Sequence, residues 1–344
     1  MSDRRLLLAI ETSCDETAAS VVSARPDGGE LAVLSNIVLS QDEIHAPYGG
    51  VVPELASRQH IRSIAPVVRE SLAAAGVGLE AIDRFAVTQG PGLIGSLLVG
   101  VSFAKGLAYW LRKPLAGVDH VQAHIEAVAL EQPRVEYPAL ALIVSGGHTS
   151  LFALPERLRY ELVGRTRDDA AGEALDKIAK FLGLGYPGGP VIQRLSEGGD
   201  SGRFEFALPR MSDGSLDFSF SGLKTAALRI IRDKKIVKDS PALPDFLASF
   251  ESAVVRALLE NLFRAAEESD PRTLVLCGGV ARNKRLRTEF ERRARRLGIA
   301  AYVPTPKLCT DNAAMVGALA WARVTAGEDG DLALDLDAYP RQPI

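Results

Sequence analysis

The stretch "LLLAIETSCDETAASVVSA" (Leu6–Ala24) decides how the rest of the chain is read. "LLLAIE" (Leu6–Glu11) and "AASVVSA" (Ala18–Ala24) are short runs of aliphatic and small residues around the polar turn "ETSCDET". That pattern predicts two strands joined by a turn, and "LAVLSNIVLS" (Leu31–Ser40) adds a third. Next come a helix over "VVPELASRQHIRSIAPVVRESLAAAG", expected to kink near Pro66, and a strand at "RFAVTQ". A helix opened by "GPG", a strand at "PLAGVD" and a helix starting at "HVQAHIEAVAL" complete the set. The same order then begins again. "ALALIVSGG", "TSLFALP" and "YELVGR" read as three strands and "AAGEALDKIAKFLG" as a helix. After an irregular insertion at about 184–270, "TLVLCGG", "NKRLRTEFERRARRLG", "AAYVPT" and "NAAMVGALAWARVTA" alternate strand and helix. The turn "VSGGHT" stands where "ETSCDET" stood, and the loop "LCGGV" where "TQGPG" stood. The repetition lies in element order, not in residue identity. It predicts two similar α/β domains, each a mixed sheet with helices on its faces, with ligands between the halves at strand ends.

With 344 residues, 47% of them hydrophobic, the chain is long enough for two cores. A net charge of −3 gives no overall signature of nucleic-acid binding, so any RNA contact has to come from a local patch. Cys14, Cys277 and Cys309 form no CxxC pair, which points to a reducing compartment and a cytoplasmic location. The first apolar run is too short for a signal peptide, and no stretch reads as a membrane helix, so no membrane is expected.

"DHVQAHIEA" (Asp119–Ala127) holds His120 and His124, two of only five histidines. Four residues turn a helix by about 400°, so both imidazoles share one face. The spacing can hold a metal, and it equally suits an ordinary polar stripe. In "PTPKLCTDNAAMVG", Thr310 and Asp311 precede an apolar helix, where either is a good N-cap. If the halves face each other, Asp311 can reach the histidine helix as a third ligand. Two histidines and one carboxylate form a common open site for zinc or iron.

Other stretches leave two readings open. The turns in "SGGHT" (Ser145–Thr149) and "CGGVARN" (Cys277–Asn283) suit either plain loops or backbone amides facing an anion. With "TQGPG" as a third, they favour a nucleotide or phosphate site. Glu11, Asp15 and Glu16 at one strand end suit a polar cap, a metal–nucleotide complex or a general base. In "DDAAGEALDKIAK" the acids favour a helix start, and Asp176 is a weak candidate for a ribose hydroxyl. The helix "ARNKRLRTEFERRARR" carries eight basic residues against two glutamates, as a solvated face or a patch for phosphate backbone. His45, His60 and His148 each stand alone, as satisfied polar residues. The end "DLALDLDAYPRQPI" is expected to pack loosely.

Seven ordered stretches resemble one family: "AIETSCDETAAS", "HVQAHIEA", "LIVSGGHTSL", "AGEALDKIAKFLGLGYPGGP", "FSFSGLKTA", "LCGGVARNKRLR" and "PTPKLCTDNAAMVG". They look like the bacterial TsaD family, the tRNA threonylcarbamoyladenosine transferases once named as glycoproteases. The resemblance runs from Glu11 to about Gly317. It implies a duplicated RNase H-like fold, related to actin, Hsp70 and sugar kinases, with an interdomain cleft. The division expected is a first lobe of 1–118 plus roughly 313–344, and a second of 119–312. It implies that His120, His124 and Asp311 bind one divalent metal, with Fe(2+) expected and zinc or magnesium as the other ions considered. It implies that Ile143, Val144, Ser145, Gly146, Gly147, Asp176, Gly189 and Asn283 bind the nucleotide part of the substrate. Asp15 and Glu16 match the acidic pair that implies a catalytic role. The chain departs from the family between the histidines, where Val121, Gln122 and Ala123 stand instead of the frequent glutamate and glycine.

The implied reaction moves the threonylcarbamoyl group of threonylcarbamoyl-AMP to the N6 amine of adenosine-37 in tRNAs reading ANN codons, releasing AMP. The implied partners are tRNA, a TsaB-like paralogue, a TsaE-like ATPase and a TsaC-type synthase that supplies the adenylate. Three other readings compete. A carbamoyl-phosphate-using transferase or kinase-like ATP-binding enzyme shares this fold. A metalloprotease needs HExxH, and Val121 stands in the glutamate position. A scaffold subunit should have lost the three metal ligands.

Overall fold

The computed structural model describes residues 4–25, 31–132, 135–209, 211–328 and 334–341. The chain divides into two units, Met1–Arg134 with Thr310–Ile344, and Val135–Cys309.

In the first unit, β1 (Arg5–Glu11), β2 (Glu16–Ala24) and β3 (Ala32–Ser40) form an antiparallel meander. A single turn, α1 (Asp42–His45), leads to the long helix α2 (Pro53–Ala75). Then β4 (Arg84–Gly90), α3 (Ile94–Leu111), β5 (Leu115–Asp119) and α4 (His120–Glu126) follow. The sheet order is β3-β2-β1-β4-β5, with β4 and β5 parallel to β1. Leu8 and Ile10 of β1 pack with Ile64, Val67 and Leu72 of α2 and Val101, Ala104 and Ala108 of α3 in one core.

In the second unit, β6 (Ala139–Val144), β7 (Thr149–Leu154) and β8 (Glu161–Arg165) repeat the meander. The helices α5 (Ala171–Phe181), α6 (Gly188–Leu195), α7 (Ser221–Asp233) and α8 (Leu243–Ser269) come next. They are followed by β9 (Thr273–Cys277), α9 (Lys284–Leu297), β10 (Ala300–Tyr302) and the short α10 (Pro306–Cys309). The sheet order β10-β9-β6-β7-β8 matches the first sheet strand for strand, including the parallel pairs. Such a duplicated order, three antiparallel strands followed by two parallel ones, is that of two RNase H-like domains. The last helix, α11 (Ala313–Thr325), returns to the first unit, where it packs on β1, β2 and α4. The buried Asn312 caps it, its side chain accepting from the Met315 N–H at 3.2 Å.

The structure corrects several expectations. The first unit runs past residue 118 and resumes at Thr310, so the helix bearing His120 and the Asp311 segment belong to the first unit and not to the second. Helix α2 continues past Pro66 to Ala75. "YPGGP" and "FSFSGLKTA" are not loops throughout, since α6 starts at Gly188 and α7 at Ser221. The end of the chain is tied down where it is described: the Tyr339 N–H donates to the Gln89 carbonyl at 2.9 Å and its hydroxyl to Asp119 at 2.8 Å. Finally, α3, with a mean hydropathy of 1.4 over 18 residues, is long and apolar enough to cross a membrane by length and composition. One face of it, with Val101, Ala104 and Ala108, serves the core beside β4, while Ile94, Leu98, Tyr109 and Trp110 are exposed.

Close approach of backbones fixes the joint between β6 and β9. Gly278 sits at φ +90°, and a Cβ there would meet the Val144 carbonyl oxygen at 2.5 Å. Both the dihedral and the neighbouring backbone exclude a side chain. Gly278→Ala is therefore expected to cost at least about 2 kcal/mol of stability, on the scale of a forced left-handed residue. Chemical denaturation of the two proteins side by side measures it.

Candidate functional site

The site is built from the end of β1 outward. Glu11, the last residue of β1, is fully buried. A carboxylate there needs partners, because an unpaired buried charge is costly. It has three. Its Oε1 accepts from the Ser13 N–H, and its Oε2 accepts from the Thr88 hydroxyl at 2.6 Å and lies 3.1 Å from His120 Nδ1. Ser13 Oγ stands 3.1 Å from the same Nδ1. The ring of His120 is thus gripped from behind, which leaves Nε2 pointing the other way.

His120 and His124 lie one turn apart on α4, with ring centroids 4.7 Å apart at 80°. Asp119, the N-cap of α4, accepts from the Gln122 N–H at 2.9 Å and starts the helix at the first histidine. Asp311, just before α11, brings its Oδ1 to 3.6 Å from His120 Nε2 and 3.1 Å from His124 Nε2. One ligand atom from each of the three residues lies within 4.8 Å of the others, and the group could hold a metal ion. Reaching Asp311 requires no meeting of two halves, since all three residues belong to the first unit.

The electrostatics fit a cation. Burial works against a charge on His120, but Asp311 and Glu11 outweigh it and hold its pKa up to about 9. Burial pushes the Glu11 carboxyl up, and the adjacent His120 more than cancels that, leaving it below the usual range. Asp15 and Glu16 are raised, first by burial and then by Asp311 and other carboxylates nearby. Four acidic groups thus interact around one imidazolium, a cluster short of positive charge. Two imidazoles and a carboxylate are a donor set that suits a divalent transition metal. The Glu11–His120 contact is the carboxylate–histidine arrangement that orients a metal-binding ring. Sequence reasoning placed Glu11 in the acidic turn but missed this role. Its signal was a lone carboxylate ending an otherwise apolar strand.

In the second unit, Ile143 and Val144 are fully buried at the end of β6, and Ser145, Gly146 and Gly147 form the turn to β7. The Ser145 N–H donates to the His148 carbonyl at 2.8 Å, and the His148 N–H to Ser145 Oγ at 3.0 Å. Helix α5 abuts this turn: a Cβ on Gly172 would lie 2.6 Å from the Ser145 carbonyl oxygen. The Gly146 and Gly147 backbones are exposed, with open space where a Cβ would be. Asp176 on α5 accepts from the Gly188 N–H at 2.7 Å, and so joins α5 to the start of α6, where Gly189 follows. Asn283 caps α9 through the Leu286 N–H at 2.9 Å and donates to Glu251 at 2.6 Å. Glu251, buried on α8, also accepts from Arg285 at 3.1 Å and Ser196 at 3.3 Å. Gln193, Ser196, Glu251, Lys284 and Arg285 line a cavity of about 500 Å³ beside Asn283. Glu251 escaped sequence reasoning because it sits within an apolar helix pattern.

The basic helix α9 is less free than its composition suggests. Arg287 donates to the Ala281 and Pro304 carbonyls, Arg292 and Arg293 pair with Glu289, and Arg293 also covers Phe263. Arg282, Lys284, Arg295 and Arg296 are exposed.

Replacing Asp311 by alanine is expected to strip bound metal while leaving the fold intact, and His120→Ala to strip it at a cost in stability, since Glu11 loses its buried partner; elemental analysis, circular dichroism and thermal melts read both. Glu11→Gln, which keeps every ligand, is expected to weaken metal binding about 10- to 100-fold. A metal must displace the His120 proton, so metal affinity is expected to rise with pH up to about 9. In the metal-free protein the same raised pKa stabilises the fold at acidic to neutral pH. That contribution fades as pH climbs through about 9. Calorimetric metal titrations and thermal melts across that range check both signs.

A family model described as tRNA N6-adenosine threonylcarbamoyltransferase (TsaD) matches residues 32–318. Among curated relatives, proteins of that name from Geotalea uraniireducens and Symbiobacterium thermophilum are 52% and 51% identical, the first over 90% of this chain and 89% of its own, the second over 97% and 96%. One from Clostridium perfringens is 46% identical over 97% of both chains. Two solved structures share the fold at 15% identity. HypF of T. kodakarensis has a TM-score of 0.63 over 95% of this chain and 48% of its own. The Acidaminococcus fermentans (R)-2-hydroxyglutaryl-CoA dehydratase component A has a TM-score of 0.51 over 94% of this chain and 100% of its own. By the family match and by full-length identity near one half, this chain belongs to the TsaD family of tRNA N6-adenosine threonylcarbamoyltransferases.

Proposed function

We propose that this protein transfers the threonylcarbamoyl group from threonylcarbamoyl-AMP to the N6 amine of adenosine-37 in tRNAs reading ANN codons, with release of AMP. The observation that carries the reading is identity of 46–52% with relatives of that name over 90–97% of the chain. Nothing in the relatives favours a carbamoyl-phosphate-using or kinase-like enzyme.

The chemistry sets what the residues must do. An adenine amine is a poor nucleophile, since its lone pair is delocalised into the ring. The mixed anhydride compensates with AMP as a good leaving group. The amine nitrogen attacks the carbamoyl carbon, the bond from that carbon to the phosphate oxygen breaks, and one amine proton has to be taken up. Asp15 or Glu16 takes it. Burial among other carboxylates raises both above the usual range, so each is a better base at neutral pH than a free carboxylate. The exposed backbone of Gly146 and Gly147, in the turn that Ser145 opens, holds the nucleotide, with Ile143 and Val144 as the strand beneath it. Asp176, Gly189 and Asn283 complete its pocket. His120, His124 and Asp311 hold one divalent ion, Fe(2+) in this reading, which when bound supplies positive charge for the phosphate or carbonyl oxygen.

The partners in this reading are tRNA, a TsaB-like paralogue, a TsaE-like ATPase and a TsaC-type synthase, all in the cytosol. Cys14, Cys277 and Cys309 form no disulfide, which suits that compartment. The exposed Arg295 and Arg296 on α9 supply the local positive charge that RNA contact requires in a chain of net charge −3.

The test is modification of unmodified tRNA in vitro with threonine, bicarbonate, ATP, the synthase and both partner proteins. Threonylcarbamoyladenosine above the control without this chain is expected, and its absence would sink the reading. Reversing Arg295 and Arg296 to glutamate should weaken tRNA binding and flatten its salt dependence, each lost phosphate contact lowering the slope by about 1. Filter binding at several salt concentrations measures both.

A further inference from the structure

His45 and His60, isolated in the sequence, lie in one buried polar region of the fold on either side of Gln41. Thr17, His45 and His60 are fully buried, and Gln41 is 1% exposed. His60 Nδ1 lies 2.8 Å from Thr17 Oγ1, and its Nε2 lies 2.9 Å from the Cys14 carbonyl oxygen. A carbonyl oxygen only accepts, so Nε2 carries the proton. Burial holds the pKa of this ring below its ordinary value, so the ring stays neutral and Nδ1 accepts from the Thr17 hydroxyl. The same reasoning fixes His45. Its Nδ1 accepts from the Val52 N–H at 3.3 Å, so its Nε2 donates to Gln41 Oε1 at 3.2 Å. The Gln41 amide nitrogen stands 3.5 Å from His60 Nε2. Because that nitrogen already directs its proton at Cys14, Gln41 packs against the ring. Gln41 contributes instead through its backbone, whose N–H donates to the Asp15 carbonyl at 3.1 Å.

Two successive carbonyls of the β1–β2 turn, Cys14 and Asp15, are therefore held by α2 and by the segment after β3. This is the turn from which Asp15 and Glu16 project. Their carboxyl groups hydrogen-bond to each other, and both face the negative charge of Asp311. That geometry holds only while the backbone of the turn stays in place, so a neutral backbone anchor has a definite task. A charged donor would pair with the carboxylates and lower their basicity, whereas a neutral imidazole holds the backbone without doing so.

We propose that His60, locked by Thr17 with its proton on Nε2, is a positioning residue that fixes the backbone carrying Asp15 and Glu16. This rests on the reading of that pair as the proton acceptor. It also assigns a use to "HIR" in α2, which the reaction itself left unexplained.

The test uses the full chain with its partner proteins. His60→Leu is expected to lower kcat by up to about 100-fold, the scale of a small misplacement at a reacting centre. KM for threonylcarbamoyl-AMP and metal content should stay unchanged. His60→Gln keeps an N–H donor near the Nε2 position and should recover most of the loss. Nitrogen-15 NMR of the wild-type protein should show His60 protonated at Nε2. The proposal is overturned by a folded His60→Leu variant whose kcat lies within about twofold of wild type. It is equally overturned by a His60→Gln variant no better than His60→Leu at equal thermal stability, or by protonation at Nδ1. Should His60→Leu fail to fold, Thr17→Val decides, since it keeps the shape but frees the ring; unchanged kcat there overturns the proposal. Asp15→Asn and Glu16→Gln separate the two readings. Full activity in both removes the pair as base. Where they lower turnover, their residual rate should not fall further on adding His60→Leu, and a further loss would mean that His60 acts elsewhere.

Discussion

The contact between Glu11 and His120 ties the first unit's sheet to its chemistry. A carboxylate at the end of β1 is sealed from water and can persist only if its charge and lone pairs are met. The partners that meet it come from three places: the turn after β1, Thr88 on β4 and His120 on α4. Each bond fixes one of those segments to the strand end. Because Glu11 holds Nδ1, the other nitrogen of His120 faces Asp311 beside His124. The group that could hold a metal ion is in this sense an extension of the sheet, placed by the strand that ends there.

The second unit uses the equivalent strand end differently. At the end of β6 no carboxylate is buried. Glycines allow backbone to approach backbone, with Gly172 against Ser145 and Gly278 against Val144. The result is a turn whose exposed backbone is that of Gly146 and Gly147, suited to an anion, where the first unit presents acidic side chains, suited to a cation. One topology thus carries two complementary chemistries, and the difference comes from a few residues after the first strand of each sheet.

Much of this was legible in local pattern. The alternation of strand and helix, the restart at Ala139 and the shared face of His120 and His124 all follow from short-range periodicity. The failures are also local in origin. Arg287, Arg292 and Arg293 looked like a free basic surface, yet backbone carbonyls and Glu289 occupy them. The C-terminal segment looked loose because its anchors, Gln89 and Asp119, lie more than 200 residues earlier.

The sequence by itself determined the order of elements, their duplication, the residue types able to bind a metal and, through its ordered motifs, the family. Side-chain periodicity within one helix or strand is enough for the first three, because covalent geometry sets which neighbours share a face. Only the tertiary structure decided that Asp311 belongs to the same unit as the histidines, that Glu11 grips His120 from behind, that Glu251 holds Asn283, and that His60 reaches the Cys14 carbonyl. Those pairings join residues 32 to 191 positions apart (283 − 251 = 32; 311 − 120 = 191). Which distant groups converge is fixed by how helices settle on sheets, and a buried polar atom reveals its partner only once that packing has removed the water that would otherwise satisfy it.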